Sequence, residues 1–306
     1  MESTKHKKLN IAIAYFLIYV VWGSTYYITG LALKDFPPFL LGAIRFSGAG
    51  ILLMAWCFFV RGENIFQKKL LVISAVGGIV LLFVDMLVIM LAQRYVSSSL
   101  VAIIASSTTF WITALDFPMW KRNFRTPSTI IGLAIGFLGV LVLYLQNQNS
   151  DNSTGTSVYG IYILLLGCIS WACGTLFIKY YSSYKGSSSP FVGAAWQMTF
   201  ASVMFWLFSI ISGETGSIKF ASISQKSWLS LIYLIIMGSV LAYSAYIWLL
   251  KVRPATEVGT HAYVNPLIAV FIGLTIGNEY LSFVHLSGLF LIICSVILIT
   301  LHRKTN

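Results

Sequence analysis

Ten apolar stretches of roughly twenty residues, separated by short polar links, leave this 306-residue chain few ways to fold. They fall at residues 9–30, 38–60, 69–92, 98–119, 127–146, 157–181, 190–212, 227–250, 256–277 and 283–301. A segment that crosses hydrocarbon must satisfy its own backbone hydrogen bonds, so each stretch is predicted to be a helix. The alternating ten-residue segments of a β-barrel are absent. Only 9% of residues are charged and mean hydropathy is +0.85, whereas soluble domains carry about 25% charged residues. The fold class is therefore all-α and integral to the membrane, with ten transmembrane helices that leave no length for a soluble catalytic domain. The first stretch is too long for a removable leader, and no small-residue cleavage pattern follows it.

The net charge of +11 does not point to nucleic acid, because the basic residues cluster between apolar stretches. With the N-terminus in the cytoplasm, fifteen of them (Lys5, Arg61, Lys68, Lys121 and Lys251 among these) fall on the cytoplasmic side. Lys34, Arg94, Lys219 and Lys226 fall outside. That asymmetry predicts a multi-pass protein of the cell (inner) membrane with both termini cytoplasmic. Cys57, Cys168, Cys173 and Cys294 all lie in apolar stretches without metal-type spacing and read as small packing residues. No metal or cofactor is expected.

The longest polar link, residues 146–157, divides the chain nearly in half, and the halves match. PFLLGAIRF at Pro38 faces PFVGAAWQM at Pro190, which places Arg45 opposite Gln197. Trp22 in WGSTYYI faces Trp171 in WACGTLFI, allowing one inserted residue. SSSLVAIIASSTTF in stretch four lines up with ATEVGTHAYVNPL in stretch nine, and IIGLAIGFLGV in stretch five with LSGLFLIICSV in stretch ten. The halves divide at 148/149. Five helices is an odd number, so the second copy must be inverted, an architecture that recurs in secondary transporters with the substrate near midplane between the repeats.

These residues carry a resemblance. WGSTYYI, PPFLLGAIRFSGAGILLMAW, HAYVNPLIAVFIG followed by Glu279, and the paired GLAIGFLGV and GLFLIICSV stretches resemble the EamA-type transporters of the drug/metabolite superfamily. The resemblance spans essentially all ten stretches. It implies a carrier in which helices one to four and six to nine surround a central cavity, with five and ten peripheral and export of amino acids or other metabolites as a common activity. One departure is that Asn123 stands in the first half where Glu279 stands in the second.

Ionisable groups inside a membrane are costly and each calls for a role. At 1.5 Å rise per residue, Arg45 lies about 10 Å below the outer surface, and Asp85 lies at a similar depth on the next helix. They could grip a substrate carboxylate and an ammonium or proton, or form a structural ion pair; the residues alone leave both readings standing. Gln197 could contact substrate or bridge helices. Glu257, His261 and Asn265 recur every four residues and share a helix face. Glu257 is equally a first-turn acid favoured by the helix dipole. His261 is a candidate proton relay or a hydrogen-bonded packer. Pro266 should free the Ala262 carbonyl and kink the helix. The Ser106–Thr109 run, including Thr108, makes stretch four polar as well. Tyr19, Trp22 and Tyr26 on one face of stretch one, with Trp111, Trp171, Tyr243 and Tyr246 in other stretches, offer aromatic walls for an amphipathic or cationic cargo, although aromatics also fill cores. Gly132 and Gly136, like Gly273 and Gly277, have the spacing of close helix packing. Asp116 reads as interfacial beside Lys121 and Arg122.

The predicted function is a secondary carrier for a small molecule, working by alternating access and coupled to protons through Asp85, Glu257 or His261. A facilitative or uptake carrier is the alternative. The zinc, serine-nucleophile and phosphate-loop motifs of membrane enzymes and pumps are missing. The bilayer is the expected partner, nucleic acid is not, and pairing of two copies stays open.

Overall fold

In the computed structural model the described residues are 4–124, 127–149, 158–182, 189–253 and 258–301, and among them no strand occurs. Ten long helices are present among the described residues. We number them α1 (Lys8–Ala32), α2 (Pro38–Val60), α3 (Lys68–Ala92), α4 (Ser98–Leu115), α5 (Pro127–Asn149), α6 (Val158–Ser182), α7 (Pro190–Ile211), α8 (Gln225–Val252), α9 (His261–Thr275) and α10 (Phe283–Leu301). Seven are long and apolar enough to cross a membrane. The apolar parts of the other three are shorter: Pro127–Gly139, Val264–Thr275 and Phe283–Ser295.

The helix boundaries follow local chemistry. Pro38 and Pro190 each stand at the first turn of a helix, where the missing N–H is harmless and the fixed φ already suits. Stretch four ends earlier than its hydropathy suggests, at Leu115, because Pro118 bars the residues before it from continuing the helix. Inside α4 the chain turns at Ser106–Ser107. There Ser106 Oγ donates to the Ile103 carbonyl and Thr108 Oγ1 to the Ala105 carbonyl, both at 2.6 Å, and such back-bonding competes with the helical ladder.

The two halves are related as inverted repeats, and their contacts come in exchanged pairs. α1 packs on α9 as α6 packs on α4, α2 on α8 as α7 on α3, and α1 on α8 as α6 on α3. The mates α2 and α7 lie against each other: a Cβ at Gly42 would come within 2.5 Å of the Phe205 ring, which stacks on Phe46 at 5.7 Å. The mates α5 and α10 pack chiefly on one another, through Gly136 against Ser295 and Gly139 against Ile292. Gly273 likewise approaches Ser99 and Glu279 too closely for any side chain. Cys57 and Cys168 are buried, and no disulfide forms among the four cysteines. Asp116, read as interfacial beside Lys121 and Arg122, takes its partner from another helix. It is buried at the end of α4 and pairs with Lys179 of α6 at 3.1 Å, with Tyr180 donating to its other oxygen.

Candidate functional site

Four of the ten helices contain π-helical turns, at Leu17–Val21, Trp56–Val60, Gly78–Val84 and Leu234–Tyr243. A wide turn changes which side chains share a face, and such turns gather at functional sites. Here the first ends just before Trp22, the third just before Asp85, and the last holds Gly238, Ser239 and Tyr243. All five of these residues line one central cavity, which encloses about 930 Å³ of empty space counted to its open mouth. Sixteen of its twenty-four lining residues come from the first half, and both of its charged residues, Arg45 and Asp85, are among them.

Arg45 and Asp85 are 6% and 5% exposed and do not form an ion pair with each other. Arg45 Nε donates to Ser239 Oγ of α8 at 2.9 Å, Nη1 makes a soft contact with Met86 Sδ at 3.9 Å, and the guanidinium lies 5.1 Å from the Phe46 ring centroid. Neither Nη2 nor the Asp85 carboxylate has a hydrogen-bond partner among the described residues. Of the two readings open from sequence, the structural pair is thus not formed. The cavity holds an arginine and an aspartate side chain that are each able to meet something else.

Aromatic rings make one wall. Trp22 and Trp171, matched positions in the two repeats, meet edge to face with centroids 5.7 Å apart. Tyr246 lies behind both, at 5.1 and 5.6 Å, and His261 closes the group at 5.4 Å from Trp22. Trp22 Nε1 donates to the Gly238 carbonyl at 3.0 Å, which sets the indole's angle. His261 Nδ1 lies 3.0 Å from the Val258 carbonyl. A carbonyl can only accept, so Nδ1 carries a proton, and in the neutral ring Nε2 is then the acceptor.

Asn265 lines the cavity, yet its amide is engaged elsewhere. With its nitrogen turned toward α1, as the surrounding acceptors require, it donates to the Ile18 and Tyr19 carbonyls, both at 2.9 Å. Those carbonyls belong to the first π-helical turn, so Asn265 satisfies acceptors that an α-helix would have used itself. Pro266 follows it inside α9, also on the cavity wall.

Of the residues singled out from sequence, Trp22, Arg45, Asp85, Thr108, Trp171, Tyr243, His261, Asn265 and Pro266 converge on the cavity. Trp111 and Gln197 do not line it. Trp111 meets Phe110 edge to face, with ring centroids 5.0 Å apart. Gln197 faces α3: a Cβ on Gly78 would lie 2.3 Å from its carbonyl oxygen, and its side-chain oxygen accepts the Tyr243 hydroxyl. α7 accordingly supplies no lining residue, unlike the eight-helix enclosure implied by the resemblance. Glu257 lies outside the described residues. Tyr26, on the same face of α1 as Trp22, lines the cavity as well, while Thr25, Met86 and Ser239 line it without having been singled out; Ser239 depends on the π-helical phase of α8. No group of three potential metal ligands occurs among the described residues.

A polytopic bundle of two inverted repeats, with a charged and aromatic cavity between them, has the build of a membrane carrier. The sequence profile of the EamA-like transporter family matches residues 10–145 and again 158–301, and the chain belongs to that family. It is 31% identical over 294 residues to the uncharacterized inner membrane transporter YedA of Escherichia coli K12, covering 95% of this chain and 90% of that one. It is 24% identical to a probable amino-acid metabolite efflux pump of Salmonella typhimurium LT2, covering 92% and 91%. A solved structure titled only as a crystal structure of a protein superposes with a TM-score of 0.68 over 97% of this chain and 98% of that one. At 17% identity, that likeness speaks for the fold alone.

Proposed function

We propose that this chain is a secondary carrier of the inner membrane that exports small zwitterionic metabolites of the amino-acid class by alternating access. The observation that carries this reading is that Arg45 and Asp85 share one cavity without being engaged with each other. Arg45 offers a fork of donors suited to a carboxylate. Asp85 takes the ammonium when cargo is bound and a proton when it is not, which couples export to proton entry. Trp22 and Trp171 face the apolar part of the cargo. The substrate name borne by the Salmonella relative agrees with this class. The chain divides at 148/149 into two repeats, with both termini cytoplasmic as the basic residues require. No step makes or breaks a covalent bond. His261 and Thr108 complete the polar wall, and Pro266 marks where α9 yields during rocking.

The test is flux into proteoliposomes, with and without an imposed pH gradient, of a panel of aromatic and aliphatic amino acids, polyamines and quaternary cations. Gradient-stimulated movement of amino acids that Asp85→Asn abolishes supports the whole reading. Movement indifferent to the gradient makes the protein a facilitator. Movement of polyamines alone removes the zwitterion.

A further inference from the structure

The chain has nine acidic residues, and three of them do the same thing at the same end of the bundle. Asp35, in the α1–α2 link, accepts from the Ser224 N–H at 2.9 Å and from Ser224 Oγ at 2.5 Å; Ser224 caps the start of α8. Glu214, in the α7–α8 link, accepts from the Leu40 N–H at 2.9 Å in the first turn of α2, where Pro38 has no N–H to offer. Glu279, in the α9–α10 link, accepts from the N–H groups of Ser98 and Ser99 at 3.2 and 3.0 Å and from the Ser98 hydroxyl, all at the start of α4. The free N–H groups and partial positive charge of a helix start make a natural seat for a carboxylate.

Each of these bonds crosses between the repeats. Asp35 reaches from the first half to the second, and Glu214 and Glu279 reach from the second to the first. The helices they hold carry cavity groups: Arg45 on α2, Thr108 on α4, Ser239 and Tyr243 on α8. The opposite end is tied in another way. There Lys179 meets buried Asp116, and Trp196 Nε1 donates to the Ile65 carbonyl at 2.7 Å. Among the described residues no carboxylate sits on a helix start at that end. A carboxylate on a helix start differs from a buried ion pair in one useful respect. When the two separate at the surface, water can solvate the carboxylate and the N–H groups alike, so the bond reopens without stranding a charge.

We propose that Asp35, Glu214 and Glu279 together form the gate at the end carrying the α1–α2, α3–α4, α7–α8 and α9–α10 links. They hold that end closed in the state seen here, and all three must leave the starts of α8, α2 and α4 for the cavity to open there. This inference rests on the alternating-access reading, but its test needs no cargo. Thr29 lines the cavity near the end of α1 and is 4% exposed. In a background with the four native cysteines replaced by alanine, Thr29→Cys reports opening through its rate of labelling by a membrane-impermeant maleimide. Right-side-out and inside-out vesicles present the reagent to either face. The triple variant Asp35→Asn, Glu214→Gln, Glu279→Gln is expected to accelerate labelling from the gated face by roughly tenfold or more, the shift that losing a charge-assisted hydrogen bond produces. Labelling from the other face should not rise. Labelling at the parental rate in the folded triple variant, or equal acceleration from both faces, overturns the gate. Should the triple variant fail to fold, the three single variants carry the same readout. Acceleration in at least one supports the gate, and parental rates in all three overturn it. Failure of this test with flux intact would spare the carrier reading, and the reverse outcome would spare the gate.

Discussion

Arg45 and Gln197 hold the same place in the two repeats, seven residues after the proline that opens α2 or α7, and both are buried. Their surroundings differ. Arg45 points into the cavity and leans on Ser239 of α8, where Gly238 leaves some room: a Cβ there would be 3.3 Å from Nη2. Gln197 is shut against α3, where a Cβ on Gly78 would be 2.3 Å from its carbonyl oxygen, and Tyr243 closes over its side chain. A guanidinium cannot be sealed into an apolar interface without an anion, so it keeps to the side of the helix that stays wet. A neutral amide with one good partner can be covered. The repeat thus sets where the helices lie, while the identity of one residue decides which half receives the charged chemistry.

Gly78→Leu should have the largest effect. Overpacking the α3–α7 contact costs about 1–3 kcal/mol or more, and a marginally stable bundle is expected to lose most of its folded population, read by thermal unfolding in detergent. Gly238→Ala, the milder insertion beside Arg45, should leave the melting profile nearly intact and depress flux instead. Equal destabilisation by both would erase the contrast between the two sites.

Next comes Arg45→Lys. Loss of the planar fork is expected to lower proteoliposome flux by roughly tenfold or more at an unchanged thermal midpoint, because lysine retains the charge but not the bidentate geometry. Full activity would remove Arg45 from cargo binding.

The Gln197 side sharpens by a double-mutant cycle. Gln197→Leu and Tyr243→Phe should each cost about 1–3 kcal/mol by orphaning a buried partner, and together about as little as either alone or less. Additive losses would mean that the two side chains do not depend on each other. The smallest effect is expected from Ser239→Ala, which removes one acceptor from Arg45. A loss of about 0.5–1.5 kcal/mol in apparent cargo affinity, with the maximal rate unchanged, is the expected outcome. No change would show that the arginine holds its pose without α8.

Much of this was legible in the residues. The ten helices, their two-fold repetition and the pairing of Trp22 with Trp171 follow from apolar length, the Pro-Phe landmarks and the parity of five. Arg45, Asp85 and His261 stood out because ionisable groups are rare in apolar stretches. Trp111 and Gln197 misled because the same depth and the same repeat position do not specify which way a side chain faces. Trp111 meets Phe110 while Thr109 and Ile112 of the same helix take the cavity face, and the Gly77–Gly78 surface of α3 draws Gln197 in. Asp116 was placed beside the nearest basic residues in sequence, whereas its partner Lys179 comes from another helix sixty-three residues away.

By itself, then, the sequence determined that this chain spans the membrane as two inverted five-helix repeats and that a few charged groups lie within the bilayer. Both follow from the cost of exposing peptide and charge to hydrocarbon, which acts on each segment separately. Only the tertiary structure decided that Arg45 and Asp85 stand unpaired in one cavity, and that Asn265 serves the backbone of α1. It also decided that three carboxylates reach across to helix starts in the opposite half. Those facts depend on the phase of π-helical turns and on contacts between segments far apart in the chain, and neither is written in the hydropathy of any single stretch.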